Sequence, residues 1–124
     1  MASTKLDGAG AQKMKTLEEA LMTVSQIHSM VERAAMEMKA GKPMGVFPMQ
    51  LKRIAMPLQG QLKGQFGMIA DQVSAMLLIG GRGGGDQVKL RSYREAVANI
   101  RQLIDFAQKK VKVEHAVDIT LAPE

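Results

Sequence analysis

An apolar side chain returns every three or four positions along three stretches of this chain, Leu17–Met38, Leu51–Met76 and Leu90–Val111. That period belongs to the helix, with 3.6 residues per turn, and not to the two-residue alternation of a strand. A chain patterned this way hides its apolar side chains by laying helix against helix. The pattern predicts an all-α fold, an antiparallel bundle of three long helices. The second helix is expected to be kinked or split at Pro57, giving an apparent fourth, and oligomerisation can complete the core.

The 124 residues suffice for one domain around one core. Residues 1–13 are small, polar and Gly-bearing and are expected to form a disordered N-terminal lead. A single helical domain is expected over 14–115 and a C-terminal tail over 116–124. With no cysteine, disulfides, thiolate metal sites and Cys nucleophiles are excluded. Residues 1–13 lack the apolar core of a secretory signal, and the longest solid apolar run, Ala75–Ile79, is far shorter than the roughly 20 residues that span a bilayer. A soluble, cytoplasmic chain with no membrane partner is the expectation. Aromatic residues are scarce, with no Trp, one Tyr and three Phe, whereas methionine occurs eleven times. The core is therefore aliphatic and thioether-rich, of an adaptable kind.

Helix punctuation is readable. Thr16 and Glu19 have the spacing of a capping box and place the first helix start at Thr16. From there the seam runs Leu17, Leu21, Val24, His28, Val31, Ala35, Met38, a coiled-coil-like alternation, with Ala20, Ile27 and Ala34 widening one flank. Gly41 supplies a stop and Pro43 forbids continuation. Pro48 suits the first turn of the second helix. Its seam keeps phase from Leu51 through Leu62 and slips by one residue near Gly64. A proline inside a regular helix costs about 3 kcal/mol, hence the expected break at Pro57. Gly80–Gly85 reads as a flexible reversal, and Asp86 as the N-cap of the third helix, whose seam is Leu90, Tyr93, Val97, Ile100, Ile104, Ala107, Val111.

No residue cluster carries a strong chemical signal. His28 shares a helix face with Ser25 and Glu32, which raises a phosphotransfer reading, but its place on the apolar seam predicts a packed, structural imidazole. His28 and His115 could meet across antiparallel helices, yet two histidines without HExxH or Glu-x-x-His fall short of a metal set. Met36, Met38 and Met44 have soft donors for Cu(I) but lie within an amphipathic rhythm, which favours core filling. The Gly80–Gly85 run lacks the Gly-Lys-Ser/Thr ending of a phosphate-binding loop. Gly60, Gly64 and Gly67 either admit a close neighbouring helix or mark a frayed segment. No cofactor, no metal and no catalytic residue is assigned.

Two surfaces remain. Met22, Met30, Met36, Met56, Phe66, Leu77 and Leu78 lie off or at the edge of the seams and form surplus apolar surface. They predict a non-enzymatic interaction or assembly protein that binds itself, as a homo-oligomer, or a partner protein. The alternative uses basic residues. Between Arg82 and Lys112 eight Lys/Arg face three acids, a local +5, and Arg91, Arg94, Arg101, Lys109, Lys110 and Lys112 could contact phosphates of a nucleic acid. Pairing of Arg91 with Glu95 and of Asp105 with Lys109 on a solvated face is the reading preferred to it. The whole chain, at +5, is only mildly basic. A phosphotransfer module using His28 ranks third.

Overall fold

The structure, a computed structural model, describes residues 4–118. The fold is all-α. Helix α1 spans Gly8–Lys39, α2 Phe47–Leu62, α3 Gly67–Leu78 and α4 Asp86–Glu114. A single 3₁₀ turn, Ile79–Gly81, follows α3. Two three-residue strands, β1 (Thr4–Leu6) and β2 (Ala116–Asp118), pair antiparallel with Leu6 opposite Ala116. This small ribbon ties the start of α1 to the end of α4.

Helix α1 begins eight residues ahead of Thr16. Asp7, in extended conformation, caps it by accepting the Gly10 N–H at 2.6 Å. The Thr16 hydroxyl instead donates to the Gln12 carbonyl one turn back. A capping box acts only where a helix starts; here Gly10 and Met14 carry the buried stripe upstream to the better cap. The expected lead over 1–13 therefore supplies a strand and nearly two helical turns, residues 1–3 lying outside the described residues. In the expected tail, Ala116–Asp118 forms β2, and 119–124 lie outside the described residues.

At the other end of α1, Gly41 takes φ 84°, and the Lys42 N–H reaches the Glu37 carbonyl while the Gly41 N–H reaches Met38. This is a Schellman termination, which needs the left-handed residue that glycine supplies at least cost. Pro48 lies in the first turn of α2 as expected. Pro57, however, stays inside a continuous α2, and the break falls at residues 63–66. The ring of Pro57 is exposed, so it removes one hydrogen bond without displacing packed neighbours. The one-residue slip of the seam near Gly64 marks the true break: beyond it the apolar stripe resumes at a new angle, as α3.

Each helix packs on its neighbours in the chain, and α1 also packs on α4. Contacts of Asp7 with His115 and of Glu32 with Arg94 show that α1 and α4 run antiparallel. One apolar cluster joins the helices, with Leu17, Ile27 and Val31 of α1, Leu51 and Leu62 of α2, Val73 of α3, and Tyr93, Ile100 and Ile104 of α4 among its most buried members. Tyr93 meets Phe47 edge to face at 5.0 Å. Beside them Gly80 is packed so closely that a Cβ there would sit 2.9 Å from the Pro48 ring. Asp86 is the first residue of α4 rather than its cap, which is Gly85, and its carboxylate accepts the Met44 N–H at 3.2 Å.

Candidate functional site

Helical phase decides which apolar residues are left over. On α1 the buried face is Leu17, Ala20, Val24, Ile27, Val31, Ala34, so the flank of the expected seam is its centre. His28 is accordingly turned to solvent, and the packed imidazole expected of it is not found. Met22 and Met36 stand on the outward face of the same helix. Met30 is half-buried and lines the groove between α1 and the start of α2. Phe66, also half-buried, lines a cleft at the opposite end of the molecule.

Met56 and Leu78 are exposed on the α2–α3 pair, whereas Leu77 is half-buried against the core and is not the surplus surface expected of it. A hydrogen bond from the Gln59 side chain to the Ser74 hydroxyl fixes the register of α2 against α3. In antiparallel helices Met56, one turn before Gln59, lies at the level of Leu77, one turn beyond Ser74. Spacings of three and four keep Met56 on the Gln59 side of α2, and Leu77 and Leu78 on the Ser74 side of α3. Met56 is 51% exposed and Leu78 65%. Met49, two turns from Met56 on the same face, is exposed too. The sequence reading passed over Met49, although its seven-residue spacing from Met56 was available as a signal.

The cleft lies between the α2–α3 turn, α4 and the start of α1, and measures about 460 Å³. Phe66, Ile69, Leu103 and Val111 line it, with Phe106, 68% exposed, and Met68, 74% exposed, as further lining residues. Lys13, Gln65, Lys110, Glu114 and His115 are its charged and polar lining. Lys13 donates to Nε2 of His115 at 3.2 Å. An ammonium only donates, so Nδ1 holds the ring hydrogen that faces the Asp7 carboxylate at 3.2 Å. The bond from the Gly10 amide, then that from His115, holds the Asp7 carboxyl below its usual value. A Cβ on Gly10 would collide with the His115 Cβ, so glycine permits this junction. His115 thus closes the two ends of the fold and is far from His28, which sits mid-way along α1. Among the described residues no group of three or more His, Asp or Glu could hold a metal ion. Met36, Met38 and Met44 divide between an exposed, a half-buried and a buried position.

Of the basic residues of α4, Lys89 is half-buried and donates to the Gly80 carbonyl at 3.2 Å, whereas Arg91, Arg94, Arg101, Lys109, Lys110 and Lys112 are exposed, two of them engaged. The Arg94 guanidinium donates twice to Glu32 of α1, each bond 2.9 Å, and these bonds hold the Glu32 carboxyl below its usual value. Lys109 pairs with Asp105 at 3.1 Å, as the spacing suggests. Arg91 pairs with no acid among the described residues; the pairing of this face runs across to α1 instead. Gly60, Gly64 and Gly67 have open space where a Cβ would stand, so no helix approaches them and the close-packing reading is set aside. Among the described residues no helix is long and apolar enough to cross a membrane. Compared with protein-family models, curated proteins and solved structures, the chain matches none.

Proposed function

We propose that this chain is a non-enzymatic helical interaction and assembly protein, an antiparallel bundle that offers a Met-rich apolar surface to a second copy or to a partner protein. One observation carries the reading. Met22, Met36, Met49, Met56 and Met68 are each more than half exposed, together with Leu78 and Phe106. Thioether side chains are flexible and polarisable and suit surfaces that adapt to a partner. Apolar groups left in water in such number are favourable to cover, at about 25 cal/mol per Å² removed.

Sedimentation with far-UV circular dichroism over a concentration series tests self-assembly. The expected result is a mass above the 13.5 kDa chain that falls on dilution. Met22→Ser and Met36→Ser, on the outward face of α1, should abolish the larger species while leaving helicity unchanged. If they leave the mass distribution untouched, the apolar surface is not what assembles the protein.

The nucleic-acid reading loses two of its six cations to intramolecular pairs, Arg94 and Lys109. A gel-shift titration against salt measures what the rest can do. Exposure of His28 is the one observation in favour of phosphotransfer. Acid-labile phosphate on His28 of the protein isolated from cells, absent from His28→Ala, is the test of it.

A further inference from the structure

We infer that the outer face of α2 and α3, centred on Met56 and Leu78, is a docking surface for an acidic amphipathic helix of a partner protein. The inference rests on the interaction role proposed above and names the occupant of one face. Two independent features meet there. The first is apolar: Met49, Met56 and Leu78 are exposed on a face whose register is fixed by Gln59 and Ser74. The second is electrostatic. Lys52 and Arg53 are exposed on α2 and Lys63 follows its last residue, with no acid among them, and the acid on the α3 side of the face is Asp71, exposed three residues before Ser74. On α2 the residues Met49, Lys52, Met56 and Lys63 fall at helical spacings on one flank of the stripe Leu51, Ala55 and Leu58, which enters the core.

An apolar stripe flanked by three cations and one acid selects a partner whose own charges are mainly acidic. An amphipathic helix with leucines on its inner edge and Glu or Asp along its flanks supplies both. A second copy docked through the same face would have only Asp71 to set against Lys52, Arg53 and Lys63 of its mate, a contact of net like charge. A lipid surface calls for aromatic and long aliphatic anchors. Phe47 and Tyr93 are in the core, and Phe66 and Phe106 line the cleft, so the face has no aromatic side chain.

The test uses the full chain labelled with ¹⁵N and a synthetic Leu/Glu heptad peptide that forms an acidic amphipathic helix. Amide shifts should move at Lys52, Met56, Ser74 and Leu78 and not around His115. The double variant Lys52→Glu/Arg53→Glu should bind at least ~10-fold more weakly, about 1.4 kcal/mol, and Lys52→Gln/Arg53→Gln serves should the charge reversal disturb the fold. Added salt should weaken binding of the wild type more than that of either variant. Unchanged affinity in both charge variants, shifts mapped to another face, or tighter binding to phosphatidylserine vesicles than to the peptide would overturn the inference. Loss of peptide binding in Met56→Ser/Leu78→Ser, with no effect of the charges, would leave the interaction role standing and remove the acidic partner.

Discussion

Helices α1 and α4 are built differently from α2 and α3. The first pair has 32 and 29 residues, a side-chain cap at Asp7, a Schellman end at Gly41, the Glu32–Arg94 ion pair and the β1–β2 ribbon. The second has 16 and 12 residues, no side-chain cap, Pro57 within α2 and glycines at 60, 64 and 67. One side-chain hydrogen bond, Gln59 to Ser74, links the two. Helix α1 is specified locally at both ends, and α4, which has no side-chain cap, is tied to it by the ribbon and the ion pair. The short pair relies on burial of Leu51, Ala55, Leu58, Leu62, Ile69 and Val73. Isolated helices so short are marginal, so tertiary packing holds them. The face assigned to a partner lies on this second pair, where ordering by that partner has most to add.

The largest expected effect tests whether the long pair carries the fold. Ile100 is fully buried in α4, and Ile100→Ala should cost about 2–5 kcal/mol in urea unfolding. A cost below about 1 kcal/mol would show that the long pair is not the framework. Next comes Pro57→Ala, which should stabilise the short pair. Restoring the hydrogen bond and relieving the ring returns up to about 3 kcal/mol, and greater freedom of the unfolded chain offsets about 1, leaving about 2 kcal/mol. A loss of stability instead would mean that α2 is shaped around its proline.

The ion pair gives a smaller, pH-dependent effect. Glu32 is held below its ordinary value chiefly by the Arg94 bonds, and Asp7 by the Gly10 amide and then His115. A depressed folded value contributes stability that is complete above the unfolded value, near pH 4, and is lost as pH falls through the folded one. The urea midpoint of the wild type should therefore exceed that of Glu32→Gln at pH 7, and the gap should close on acidification towards pH 3. A gap that widens in acid would reverse the sign argued here. Smallest of all, Met56→Ser and Leu78→Ser should change stability by no more than about 0.5 kcal/mol, since both side chains already stand in water. A large loss would mean that these residues serve the core and not a partner.

Class of fold and the helix-bearing stretches were legible because helical periodicity is a local property of the chain. So were the Gly41 stop, Pro48 in the first turn of α2 and the Asp105–Lys109 pair, each made by residues within a turn or so. Packing decided the rest. It rotated α1 so that Ile27 enters the core and His28 leaves it, because a helix presents the flank its neighbours can cover. The second break went to residues 63–66 and not to Pro57, since the direction in which a proline ring points depends on what surrounds it. Asp7 and His115, 108 positions apart, were joined only when α1 and α4 lay antiparallel. Residues distant in sequence meet through the path of the chain, and no window of neighbours encodes that path.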